Sequence, residues 1–241
     1  MTKEQLRFTG AGGQGIIMAT IILAEAAFLD GRQVVQSQSY GPEARGGMCK
    51  AEVIIDDRAI YYTKVDKPTL LLALTQDALN KYIRNIPRDT IIVTDDSISI
   101  PDRINERQRV IKLPILHSAC EVINNKMSAN IISCGIINEL LGLASEKSLR
   151  QAVMNHIPKG TEVLNERAMQ LGMRLARGVI NSDSKGIEVP DNETDDSENS
   201  DKKNDYISKN QESLPSTESD ASPAETVIPV DDTADTIDIE K

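Results

Sequence analysis

Two segments gather the residue types that can do chemistry. Gly10-Ala11-Gly12-Gly13-Gln14-Gly15 holds four glycines in six residues, a backbone able to turn tightly, to let a helix approach a strand, or to offer its amides to an anion. Ser39-Tyr40-Gly41-Pro42-Glu43-Ala44-Arg45-Gly46-Gly47 sets one anion and one cation on a stretch that is stiff at Pro42 and free at Gly46 and Gly47. By composition alone Glu43 and Arg45 amount to an exposed ion pair of little energetic weight.

The first segment satisfies the literal spacing of a dinucleotide fingerprint. That fingerprint also needs a carboxylate at the end of the second strand, about 20 residues on, to accept hydrogen bonds from a ribose. The second strand here ends in Gln36, Ser37, Gln38 and Ser39, and the nearest carboxylate, Glu43, follows Pro42 in a loop. A nicotinamide or flavin site is therefore disfavoured. A nucleotide-hydrolysing loop is disfavoured further, because no Gly-Lys-Ser/Thr follows the glycines. Two uses of the glycines stay open, close strand-to-helix packing and anion binding at a helix N-terminus.

The elements that must position these loops can be read around them. Residues 6–9 alternate as a short strand, and residues 16–29, rich in Ala, Ile and Leu, read as a helix, so the glycines form a strand-to-helix turn. Residues 33–39 read as a second strand leading into the second loop. Residues 51–55 and 59–65 are rich in strand formers around Asp56-Asp57-Arg58, which predicts an antiparallel hairpin. Residues 69–74, 90–94 and 109–113 read as buried strands, with a helix over 76–86 between the first two. After Pro114 the periodicity is helical throughout, over 118–125, 129–144, 147–155 and 162–177. The predicted fold class is α/β: a mainly parallel Rossmann-like sheet with an added antiparallel hairpin, C-terminal helices and a disordered acidic tail.

Charge sets the boundary of the tail. From Asn181 to Lys241 there are 18 Asp/Glu against 5 Lys/Arg, a net of −13, whereas the preceding 180 residues carry 22 Lys/Arg and 19 Asp/Glu, a net of +3. So acidic and thinly apolar a segment cannot bury enough surface to offset its ordering entropy, and the expected organisation is a domain over 1–180 and a low-complexity tail over 181–241. The near-neutral domain lacks the basic footprint of a nucleic-acid binder. The apolar stretch 16–29 is interrupted by Glu25 and too short to span a bilayer. Cys49, Cys120 and Cys134 lie far apart and suggest a reduced, cytoplasmic setting. Cys120 and Cys134 fall on helical stretches as buried, inert thiols, and His117 and His156 lie at or near helix ends, where capping is commoner than catalysis.

Taken together, the two glycine-rich motifs resemble those of the gamma subunit, or gamma domain, of the 2-oxoacid:ferredoxin oxidoreductases, in their order and at their separation. The resemblance runs from about Leu6 to Arg177, takes in Ser128-Ala129-Asn130 and Asn165-Glu166-Arg167-Ala168, and stops before the tail. In the form of its second loop the chain looks most like the 2-oxoglutarate type. The resemblance implies a complex that decarboxylates a 2-oxoacid on thiamine diphosphate, passes electrons through iron–sulfur clusters to ferredoxin, and hands the acyl group to coenzyme A.

Of that machinery this chain can hold only part. Its three cysteines are separated by 70 and 13 residues and cannot form a ferredoxin-type ligand run. Nor does a Gly-Asp-Gly precede an Asn at the spacing that holds the magnesium of thiamine diphosphate. The clusters, thiamine diphosphate and magnesium are thus expected on partner subunits: thiamine-binding alpha and beta subunits and an iron–sulfur subunit or domain. The gamma subunit is expected to be inactive alone, with no catalytic residue and no metal ligand. By resemblance, the residues placed near coenzyme A are Gly10, Gly12, Gly13, Gln14 and Gly15, with Arg45, Gly46 and Gly47; Arg45 has an intersubunit ion pair as its alternative. The rival classes are a stand-alone dinucleotide-dependent dehydrogenase and a non-catalytic adaptor that recruits partners through its acidic tail.

Overall fold

The computed structural model describes residues 3–38, 48–105 and 108–184 of the 241-residue chain, all within one compact unit. The acidic tail beyond Ser184 and the second loop, residues 39–47, lie outside the described residues.

Six strands form one sheet: β1 (Glu4–Ala11), β2 (Gln33–Gln38), β3 (Met48–Asp56), β4 (Leu70–Ala73), β5 (Ile91–Asp95) and β6 (Val110–Leu113). Their spatial order is β2-β3-β1-β4-β5-β6. β1, β4, β5 and β6 are mutually parallel, while β3 pairs antiparallel with both β1 and β2. The mainly parallel half follows from composition: Leu70-Leu71-Leu72-Ala73 is apolar at every position and buried at every position, as a strand covered on both faces must be.

The helices are α1 (Ile16–Leu29), α2 (Gln76–Tyr82), α3 (Asp102–Asn105), α4 (Ile115–His117), α5 (Ala129–Leu141), α6 (Glu146–His156) and α7 (Glu162–Ser184). One sheet face, presenting Leu6, Phe8, Val53, Ile55, Leu70 and Leu72, meets α1, α5, α6 and α7 in the main core. The other face presents Leu71, Ala73 and Ile92 to Leu79 and Ile83, in and just after α2. α1 lies between sheet and helices and buries residues around much of its circumference, from Ile16 to Ala27. Apolarity on all sides is what such a position demands.

The predicted hairpin forms with a different partner. Residues 59–65 make no strand; β3 is hydrogen-bonded along both edges, by β1 and β2, and leaves no edge for another. Tyr61 and Tyr62 instead face solvent, 94% and 53% exposed, and the Val65 carbonyl accepts a hydrogen bond from Arg7 Nη2 at 2.8 Å. The hairpin is β2–β3, joined through residues 39–47. The helix predicted over 118–125 is a five-residue π-helical turn, Ser118–Val122, following α4. Asn124, with φ of 57°, cannot continue it. α5 stops at Leu141 because Gly142 turns left-handed, and Asn138 then grips Ala144 with two hydrogen bonds of 2.9 Å.

α5 and α7 cross at two glycines. A Cβ on Gly135 would stand 2.3 Å from the Met169 carbonyl oxygen, and one on Gly172 would stand 2.1 Å from that of Ile132. Next to Gly135 on α5, Cys134 is fully buried and its Sγ lies 3.5 Å from the carbonyl oxygen of Ala19 on α1. Burial pushes that thiol far above its ordinary range, and pushes Cys49 upward too. Cys120 is only half-buried, not enclosed as its helical setting suggested. Titration with an aromatic disulfide at pH 8 is expected to modify Cys120 and Cys49 in the native protein, Cys49 more slowly, and Cys134 only after denaturant is added. Rapid native modification of all three thiols would contradict this packing.

Candidate functional site

Parallel α/β sheets bind ligands outside the carboxyl ends of their strands, where successive helices leave for opposite faces. Here that point lies between β1 and β4, which pair from Leu6↔Leu70 to Thr9↔Ala73; α1 follows β1 onto one face and α2 follows β4 onto the other. The glycine-rich turn stands at that place.

Each residue of the turn is held for a different reason. Gln14 closes it with its own side chain: Oε1 accepts the Ala11 N–H at 2.7 Å, while the Gln14 N–H donates to the Ala11 carbonyl at 3.2 Å. Gly10 leaves room for that side chain, since a Cβ there would stand 2.4 Å from Gln14 Oε1. Gly13 has φ of +89° with nothing within 4 Å of a would-be Cβ, so only its backbone conformation calls for glycine. Gly15 is constrained twice, by φ of +72° and by Asn130, whose Nδ2 would lie 2.5 Å from a Cβ. The close approach at Gly15 is thus not the strand-to-helix packing expected of the glycines but contact with Asn130 of α5.

The anion-binding role has physical support at the same place. Gly15 is the N-cap of α1, no side chain caps that end, and no acidic residue stands in its first turn. The amides that open a helix lack intrahelical acceptors, and the helix dipole adds partial positive charge to them. The N-terminus of α1 is thus free of carboxylate competition from its own first turn.

Of the second loop, Arg45, Gly46 and Gly47 lie outside the described residues, but its two flanks do not. Met48 pairs with Ala11 and Cys49 with Gly10, so the segment re-enters the sheet alongside the glycine-rich turn. It leaves from Gln38, which pairs with Ala51 of the same strand. The sheet thereby brings Met48, which follows the second motif in sequence, beside the glycine-rich turn. Beside them, Glu52 joins two cations, Arg7 Nε at 2.6 Å and Lys50 Nζ at 3.1 Å.

The topology also bears on the dinucleotide alternative. β2 runs parallel to β1 but with β3 between them, which moves the end of β2 from about 5 Å to about 10 Å from the turn. The position from which a ribose carboxylate would act is displaced as well as occupied by Gln and Ser. Among the described residues, no three His, Cys, Asp or Glu side chains converge as a metal would require.

Sequence reasoning missed a second concavity. A cleft of about 300 Å³ opens between α1, the start of α5 and the α6–α7 connection, lined by Ser128, Asn130, His156 and Asn165 among others. In the sequence, Ser128, Asn130 and Asn165 carry only the family resemblance, and His156 lies near a helix end. The available signal was a Ser at the head of a helix three residues after an Asn. His156 Nε2 contacts Glu25 Oε2 of α1, and Asn155 Nδ2 donates to Glu25 Oε1 at 2.6 Å.

Comparison with known proteins follows from these features. A family model described as pyruvate ferredoxin/flavodoxin oxidoreductase matches residues 5–175. The 2-oxoglutarate synthase subunit KorC of Methanocaldococcus jannaschii is 39% identical over 177 residues, 73% of this chain and 95% of that protein. KorC of Archaeoglobus fulgidus is 34% identical over 180 residues, 74% of this chain and 91% of that protein. Among solved structures, the keto/oxoacid ferredoxin oxidoreductase gamma subunit from Geobacter sulfurreducens superposes with a TM-score of 0.66 at 35% identity, covering 74% of this chain and 98% of that one. The 2-oxoglutarate:ferredoxin oxidoreductase from Magnetococcus marinus, solved with 2-oxoglutarate, coenzyme A and succinyl-CoA bound, shares the fold at 23% identity, with a TM-score of 0.68 over 74% of this chain and 32% of that one.

Proposed function

Because the chain belongs to the pyruvate ferredoxin/flavodoxin oxidoreductase family and is a gamma-type subunit within it, we propose that it serves a complex performing the coenzyme A-dependent oxidative decarboxylation of 2-oxoglutarate to an acyl-CoA. The observation that carries the substrate is the match to KorC across 95% of that protein's length. The proposed partners are thiamine-binding alpha and beta subunits and an iron–sulfur subunit, with ferredoxin as the electron acceptor of the complex. Thiamine diphosphate, magnesium and the clusters reside on those partners, and the assembly works in the cytoplasm. Among the described residues no helix is long and apolar enough to cross a membrane.

The residues present fit a phosphate-bearing ligand. The glycine-rich turn and the uncapped start of α1 offer the amides of Gly12, Gly13 and Gly15 to a coenzyme A phosphate, without an acidic side chain in the first turn of α1 to repel one. Gly10 and Gln14 hold the turn in shape rather than contact the ligand through side chains. Arg45, with Gly46 and Gly47, precedes in sequence Met48, which pairs with Ala11, and its guanidinium is the cation assigned to the phosphates. Coenzyme A, when bound, supplies the thiol that takes up the acyl group.

Arg45→Ala tests the assignment in the assembled complex. The expected result is a KM for coenzyme A raised by about tenfold or more, as loss of one charge-assisted contact implies. The KM for the oxoacid and the iron–sulfur absorption should not change. Normal assembly with normal coenzyme A saturation would remove Arg45 from the site.

A further inference from the structure

The two edges of the sheet are finished differently. β6 closes one side with four residues and carries exposed Lys112, and a short strand with an outward Lys discourages pairing with another chain. β2 closes the other side with six residues, Gln33-Val34-Val35-Gln36-Ser37-Gln38, none of them charged and none a proline. It pairs with β3 along one side, and among the described residues Gln33 to Ser37 make no other backbone hydrogen bond. An edge of that length without a charge is a template for a further strand.

The helix beside this edge is open in the same direction. α1 packs over β2 and β3, and Thr20 Oγ1 accepts a hydrogen bond from Gln36 Nε2 of β2 at 3.1 Å. On its other flank Glu25 is held by Asn155 and His156 of α6. At about 100° per residue, Thr20 and Glu25 stand about 140° apart around the helix, and the arc between them holds Ile17, Ile21, Ala24 and Phe28. Ile17 and Ile21 are half-buried and Phe28 is 63% exposed, whereas Ala19, Ile22, Leu23, Ala26 and Ala27 on the rest of the circumference are fully buried. A helix open to water along one strip ordinarily carries polar residues there. This strip, which starts beside the residue bonded to β2, carries none.

We propose that a second copy of this chain covers both features at once, with β2 of each copy pairing antiparallel across a two-fold axis. The edge is its own complement, since β2 has no charge to meet its like across the axis. A two-fold normal to the sheet keeps each face continuous, and full use of the six residues puts it at Val35 or Gln36, with both copies of α1 on one face. Strands about 4.8 Å apart then set the two α1 helices about 10 Å from each other, the spacing of packed helices. Ile17, Ile21, Ala24 and Phe28 of one copy meet the same strip of the other. A lone strand from an unrelated partner would satisfy β2 and leave that strip in water. Nothing in this pairing depends on the coenzyme A or 2-oxoglutarate assignment.

The full chain is expected to sediment as a dimer at micromolar concentration, and hydrogen exchange over residues 33–38 is expected to slow as the protein concentration rises. Val35→Lys sets like charges near the axis and Ile21→Glu charges the helix strip; each should weaken the dimer by about tenfold or more and keep the far-ultraviolet circular dichroism of the parent. Lys112→Gln, on the opposite edge of the sheet, should leave the dimer unchanged. Should Val35→Lys fail to fold, Ile21→Glu and the exchange of the parent chain still decide. A chain that stays monomeric, a dimer that survives these substitutions, or exchange over 33–38 that ignores concentration would each overturn the proposal. So would exchange that slows only when partner subunits are added, which would give the edge to them.

Discussion

Gly172→Val is expected to destabilise the chain by more than about 3 kcal/mol and to leave little folded subunit for assembly. The cause is the α5–α7 crossing, where the atoms met by an added Cβ are backbone: the Ile132 carbonyl oxygen at 2.1 Å and its carbon at 3.0 Å. No rotamer change relieves such a contact. The helices must separate, and separation opens gaps around Ile132, Ile136, Met169 and Met173, all within 2% of full burial. Gly135→Val strikes the same crossing from the other helix, 2.3 Å from the Met169 carbonyl oxygen, so the double variant should cost less than the sum of the singles. Gly178→Ala is the control: it lies on α7, meets nothing within 4 Å, and should stabilise by about 0.5–1 kcal/mol through helix propensity. Urea denaturation of the four variants reads all of this. A Gly172→Val chain within about 0.5 kcal/mol of the parent would mean that the helices do not cross here.

The second large effect is expected at Gly15, where Gly15→Ala should cost about 3 kcal/mol against about 1–2 kcal/mol for Gly13→Ala. Both residues sit at positive φ, but only Gly15 also faces Asn130, at 2.5–2.9 Å from three of its side-chain atoms. The two costs separate in part: Asn130→Ala should relieve the contacts of Gly15→Ala with Nδ2 and Cγ, and leave the Cβ contact at 2.9 Å and the backbone part. Coenzyme A saturation of the assembled complex should weaken in Gly15→Ala, because the displaced amides open α1. Equal destabilisation by Gly13→Ala and Gly15→Ala would show that Asn130 does not pack against the turn.

Those two glycines also mark how far the residues foretell the structure. The turn at 10–15 was legible because its signal is local: a short alternating strand, four glycines, and a long run of Ala, Ile and Leu. The parallel strands were legible because Leu70-Leu71-Leu72-Ala73 leaves no polar face, and the late helices because their apolar spacing is regular. What failed was pairing. Residues 59–65 carry good strand formers, yet β3 spends one edge on β1 and the other on β2, a competition decided by residues up to about 50 positions away. The helix expected over 118–125 lost its end to a left-handed Asn124, which no periodicity announces.

The site divides in the same way. Gly10, Gly12, Gly13, Gln14 and Gly15 could be chosen from spacing, although the use of the Gln14 side chain as a turn clamp could not. The cleft beside α5 was invisible for a different reason. Met18 meets Ser128, His156 and Asn165 there from more than 100 residues away in sequence, and no short motif carries such a convergence. Ser128 stands out only once its backbone is seen to be helical and its hydroxyl unpaired.

The most direct measurement is to purify this chain from its native host through a mild tag and assay the eluate for viologen reduction dependent on both 2-oxoglutarate and coenzyme A. The expected result is turnover that requires both, in a fraction that also contains larger subunits, thiamine diphosphate and iron. A lone colourless chain, with no turnover and no co-eluting subunits, would contradict its assignment as the gamma subunit of such a complex.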